Sequence, residues 1–133
     1  MDYQTLINRN GLDAEIRQLE HDIAEKETER SAAISLLSHS PRAPSVKHDK
    51  IERLAVELAD LRKDLKLRQD ERDEVRQYIS SIENSDVRTA LRLYCLRGYG
   101  WEAVANKMSV MGRRYSMGGI YKKCLRYLKM GKK

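Results

Sequence analysis

Arg113, Arg114, Tyr115 and Ser116 are followed at helical spacing by Lys122, Lys123, Arg126 and Lys129. Cationic side chains repeated in this way line a stripe of a helix, and the chemistry such a stripe performs is anion binding. Guanidinium and ammonium groups make charge-assisted hydrogen bonds to phosphate oxygens, and arginine also reads base edges. A serine at the helix start leaves outward-pointing amides that favour a phosphate. Gly118 and Gly119 remove two side chains from the first turn and weaken the helix by about 1 kcal/mol each relative to alanine, yet let the backbone come close to a partner. Affinity is therefore expected to rest on phosphate contacts, with sequence readout confined to Arg113, Arg114, Lys122 and Lys123. Met117 reads as a core or rim residue.

The remaining reactive residue types point away from catalysis. Cys95 and Cys124 each lie in a helical stretch with no thiol or histidine close by in sequence, as buried cysteines of a reducing compartment do. His21, His39 and His48 have no ligand-like spacing, so neither a metal nor another cofactor is expected. The acidic residues occupy positions flanking heptads, where they are solvated, and no glycine-rich phosphate loop or nucleophile elbow occurs. The expectation is no enzyme and no small-molecule substrate.

The elements that must position the cationic residues can be read from caps and periodicity. Asn84 or Ser85 caps a helix running to about Arg97, with Val87, Leu91, Tyr94 and Cys95 on its apolar side and Gly98 supplying the left-handed turn that ends it. A second helix starts near Trp101 and places Trp101, Val104, Ala105 and Met108 on one face. Ser109 to Tyr115 forms a turn longer than the roughly three to four residues usual in a helix-turn-helix. Ser116 then caps a last helix, Met117 to about Met130, with Ile120, Cys124, Leu125 and Leu128 inward and Lys122, Arg126 and Lys129 outward.

Further towards the N-terminus the pattern is that of long helices. Leu12, Ile16, Leu19 and Ile23 begin a heptad seam that continues through Lys26, Arg30 and Ala33 to Leu37. A second seam runs through Ile51, Leu54, Leu58, Leu61 and Leu65, then Arg68 and Arg72, to Val75, Ile79 and Ile82. The only two prolines, Pro41 and Pro44, mark a linker at 38–47. So short a connection predicts an antiparallel hairpin in which facing residue numbers sum to about 88. In that register the charged breaks, Lys26 and Arg30 among them, are only partly compensated. A homodimer through the arm is therefore expected, with Leu12, Ile16, Leu19, Ile23, Leu54, Leu58, Leu61 and Leu65 as its oligomer or partner interface.

The fold class expected is all-α, an arm over 1–80 followed by a small basic domain over 81–133. Charge divides at the same place. Residues 1–80 carry 14 Lys and Arg against 17 Asp and Glu, whereas residues 81–133 carry 12 against 3, within a total of +6 over 133 residues. A field of +9 on the second segment attracts polyanions, double-stranded DNA first among them. No stretch approaches the roughly 18 apolar residues of a membrane span and the start lacks a signal core, so a cytoplasmic protein with no membrane partner is expected.

Tyr78-Ile79-Ser80-Ser81-Ile82, then Val87-Arg88 and Leu91, then Leu96-Arg97-Gly98-Tyr99-Gly100-Trp101-Glu102-Ala103-Val104-Ala105 with Met108, resemble the small regulators of phages and prophages of Gram-positive bacteria. In those proteins a heptad-rich half precedes a domain similar to region four of bacterial sigma factors; the ArpU-like late-gene activators are among them. Gly98 and Trp101 match the family's first turn, Val104 and Ala105 its paired aliphatic residue and alanine, and Ser116 and Ile120 the cap and first core position of its recognition helix. The chain departs where Tyr94-Cys95 replaces Arg-Tyr, where Gly100 replaces a serine cap, and in the extended 109–115 turn. The resemblance implies a transcription regulator that binds promoter DNA in the bacterial host cell and touches host RNA polymerase. The competing expectation is a phage-encoded inhibitor of the anti-defence type, whose arm binds a host nucleic-acid-processing complex.

Overall fold

The computed structural model describes residues 3–39 and 45–130. Among the described residues the chain is helical with no strand, as the composition predicts. The elements are α1 (Tyr3–Ile7), α2 (Leu12–His39), α3 (Ser45–Ser80), α4 (Ser85–Leu91) continued by a π-helical turn (Arg92–Leu96), α5 (Trp101–Val110) and α6 (Met117–Lys129). The prolines of the expected linker lie outside the described residues, but helical backbone enters the linker from both sides, through His39 and from Ser45. A helix can start immediately after a proline because its first amides need no intrahelical acceptor.

Packing divides the chain into two compact units: Met1–Glu15 with Asp70–Lys133, and Ile16–Gln69. The boundary drawn from charge at residue 80 thus differs from the one set by packing, which gathers both the first 15 residues and the end of α3 into the unit that carries the basic helices.

The first unit has an apolar core in which Leu6, Leu12, Ile79, Val87, Leu91, Val104, Met108, Ile120 and Cys124 lose essentially all solvent exposure. Asn84 caps α4, its side-chain oxygen accepting from the amides of Asp86 (3.0 Å) and Val87 (3.2 Å). The expected helix to Arg97 is present but loosens into the π-helical turn, where the Arg97 amide reaches back to the Arg92 carbonyl at 3.2 Å. Gly98 ends it with φ +86°, and the Tyr99 amide donates to Leu93.

A helix end leaves carbonyls without intrahelical donors, and here a segment remote in sequence supplies them. The Gly11 amide donates to Cys95 O at 2.9 Å, and the Asn10 side-chain amide donates to Tyr94 O (2.9 Å) and Tyr99 O (3.3 Å). Gly11 (φ +84°) and Gly98 touch backbone to backbone, and a Cβ on Gly98 would sit 3.1 Å from Gly11 Cα. Arg9 fixes the same segment through Glu15 (2.6 Å) and Glu71 (2.7 Å), and α1 packs on α6.

In the second unit Ile16, Ile23, Ala33, Leu54 and Leu58 are buried, while the seam positions Leu19, Lys26, Arg30, Leu37, Ile51, Leu61 and Leu65 are half-buried. Salt bridges join the two helices: Lys26–Glu57 at 2.9 Å, Glu29–Lys50 at 3.4 Å and Glu27–Arg62 at 3.0 Å. Arg30 Nε donates to the Ile51 carbonyl at 3.4 Å. Lys26, one of the charged breaks in the seam, is therefore matched by an acid across the pair. Its hydrogen bond to Glu57 holds the lysine above its usual pKa and the carboxyl below its own.

Candidate nucleic-acid interface

The candidate site lies in the first unit, on α5, the 111–116 segment and α6. Gly100 opens α5 without a side-chain cap, and Val104, Ala105 and Met108 turn inward. Trp101, expected on the same inward face, is only half-buried. Its ring stacks on Tyr94 with centroids 4.4 Å apart and meets the edge of Tyr121 at 5.4 Å.

Ser116 caps α6 as expected, its hydroxyl oxygen accepting from Gly119 N at 3.0 Å. Ile120, Cys124, Tyr127 and Leu128 are buried, and Lys122, Arg126 and Lys129 are exposed on the opposite side. Desolvation pushes both thiols, Cys95 and Cys124, up to about 12, so they are packing groups rather than nucleophiles. Gly118 and Gly119 leave the outer side of the first turn bare. A Cβ on Gly118 would meet open space, whereas one on Gly119 would press on the Ser116 hydroxyl at 2.9 Å.

The turn between α5 and α6 is shorter than expected, because α5 continues through Ser109 and Val110, and it is tied by both backbone and side chains. The Arg113 amide donates to Met108 O at 2.8 Å. Its guanidinium donates to Thr89 Oγ1 (3.0 Å) and Ser85 O (3.3 Å) and pairs with Asp86 at 3.3 Å. The Tyr115 hydroxyl donates to the same Asp86 carboxylate, and that bond holds the phenol above its ordinary pKa. Lys123 leans over the Tyr115 ring, 5.6 Å from its centroid. Of the eight residues singled out in the sequence, Arg114, Lys122, Arg126 and Lys129 are exposed. Arg113, Tyr115, Ser116 and Lys123 fix the turn and the helix start through the contacts just described.

Asp86 is the residue that sequence reasoning missed. An acid in the first turn of α4 reads as a partner of the helix dipole, and nothing local shows that it also receives Arg113 and Tyr115. No protein-family model, curated protein or solved structure matches the chain. The chemistry available is thus set by the site itself, a cationic helix face beside a turn held rigid from behind, which suits binding of a polyanion.

Elsewhere, His21, Asp22 and Glu25 bring their ligand atoms within 4.8 Å of one another on α2. The imidazole lies 3.5 Å from Glu25 and 3.9 Å from Asp22, all at the surface, as solvated helical neighbours do. No helix among the described residues is long and apolar enough to cross a membrane.

Proposed function

We propose that the chain is a DNA-binding transcription regulator of the kind carried by phages and prophages. In this reading α5, the extended turn and α6 act as a helix-turn-helix similar to region four of sigma factors, and α6 lies against promoter DNA. The observation that carries it is the exposed Lys122, Arg126 and Lys129 on a helix whose other side is buried, within a segment of +9. Lys122 and Arg126 grip phosphates, and Arg114 beside the capped helix start reads bases. Arg113 and Tyr115 serve as positioning residues through Asp86.

The two long helices form an antiparallel arm. Ile16, Ile23, Leu54 and Leu58 are already covered within a single chain, so a homodimer or a contact with host RNA polymerase uses the outward side of the arm, where Leu36, Val56 and Leu67 are exposed. The test is an electrophoretic mobility shift with random and native-genome duplexes at two salt concentrations. Tight, salt-sensitive binding with a preferred fragment is expected; no binding even at low salt would remove the reading and favour the protein-binding inhibitor.

A further inference from the structure

Two apolar side chains stand out at the turn between α5 and α6: Val110 is 89% exposed and Met111 56%. Exposed apolar groups on a slack loop fold back onto the nearest core, but this turn cannot collapse. The Met111 amide is held by Lys107 O and Met108 O, the Gly112 amide by Ser109 O, and Gly112 turns the chain at φ +84°. Arg113 then locks the turn onto α4. The tip is flanked by Lys107, whose ammonium lies 4.7 Å over the Tyr99 ring, and by Arg114, both exposed.

A rigid apolar point between cations, in a segment with 12 basic and 3 acidic residues, matches a polyanion with an apolar interior. Duplex DNA has both properties, with phosphates outside and stacked bases within. A protein partner with an apolar pocket would cover the two side chains equally well, but it would have to be strongly acidic to meet the surrounding charge.

We propose that the Val110–Met111 tip is a wedge that enters a base step beside the site bound by α6 and bends the duplex. The inference rests on the DNA-binding reading above. Inserted apolar side chains partially unstack a step and kink DNA by about 20–90°, and the steps that yield most easily are pyrimidine–purine steps. Arg114 keeps its place at the bases, and the exposed Lys107 ammonium, 4.7 Å over the Tyr99 ring, meets a flanking phosphate while the wedge is in place. The extended turn then has a function of its own: it sets the point of insertion beyond the reach of α6.

The experiment uses the full chain and short duplexes labelled at both ends for energy transfer, each with a TA step at a different distance from the centre. Binding is followed separately by anisotropy. The wild type is expected to shorten the end-to-end distance, most strongly for one TA placement. The double variant Val110→Ser/Met111→Ser, checked for native helix content, is expected to bind within about tenfold of the wild type yet lose most of the bend, while Val110→Leu/Met111→Leu keeps it. Binding without bending, or equal bending by the serine variant, would overturn the wedge, leave DNA binding intact and assign the tip to a protein partner. Absence of any binding by the wild type would overturn the DNA reading and the wedge together.

Discussion

Asp86 shows how one carboxylate can decide the geometry of a surface it does not itself form. It accepts from Tyr115 and pairs with Arg113, so Asp86→Ala leaves a guanidinium and a phenol half-buried with fewer partners. Charge-assisted hydrogen bonds of this kind contribute about 1.5–3 kcal/mol, and a loss in that range is expected in chemical denaturation, with Tyr115→Phe losing less. Trp101→Ala is expected to lower stability by about 2–3 kcal/mol, short of the roughly 3–5 typical of a fully buried aromatic ring, because the indole is stacked on Tyr94 at the surface rather than enclosed. The thiols give a pH dependence. Cys95 and Cys124 are raised to about 12 from 9.0, so their contribution is fully present below pH about 9 and is lost as pH rises towards 12, where only the unfolded chain readily ionises. At neutral pH a thiol reagent should react with the native protein only as fast as it opens. Rapid labelling of both cysteines in the folded state would show that the core is not closed over them.

At the level of elements, the caps were legible and the tertiary partners were not. Gly98 and Ser116 read as turn and cap residues from residue type alone, and Asn84 as one of two candidate caps beside Ser85, since capping is decided by a side chain and the amides within three residues of it. The seam positions of α2 and α3 were legible for a similar reason: periodicity reports which face turns inward even where Lys26 and Arg30 interrupt it. The partner of Lys26 was not legible, because it pairs with Glu57, off the register expected from the short linker. The docking of Asn10 and Gly11 on the end of the π-helical turn also left no local signal, as the two segments are more than 80 residues apart. That contact gives a sharp expectation. Gly98→Ala adds a Cβ 3.1 Å from Gly11 Cα at a positive φ, two independent costs. It should destabilise the protein by at least about 1–2 kcal/mol, more than Gly118→Ala, whose Cβ meets open space. Equal melting of the two variants would show that the close approach is not maintained in solution.

At the scale of the whole molecule, the charge division is the property most directly tied to the proposed DNA binding. An acidic-to-neutral segment of long helices and a basic segment of short ones were visible in the sequence. The eight residues proposed to meet DNA were not equivalent, however, because sequence gives charge and spacing but not whether a side chain is already engaged. Arg113 and Lys122 look alike in the sequence; one is locked onto Thr89 and Asp86 and the other points outward. Whether α6 grips phosphates is decided by the slope of log binding constant against log salt for a duplex, taken for the wild type and for Lys122→Ala/Arg126→Ala. Each phosphate contact adds nearly one unit to the slope, so the double variant is expected to bind more weakly on every sequence and to flatten the slope by about 2. An unchanged slope, or wild-type binding insensitive to salt, would contradict a phosphate-gripping α6 and with it the assignment of this helix to DNA.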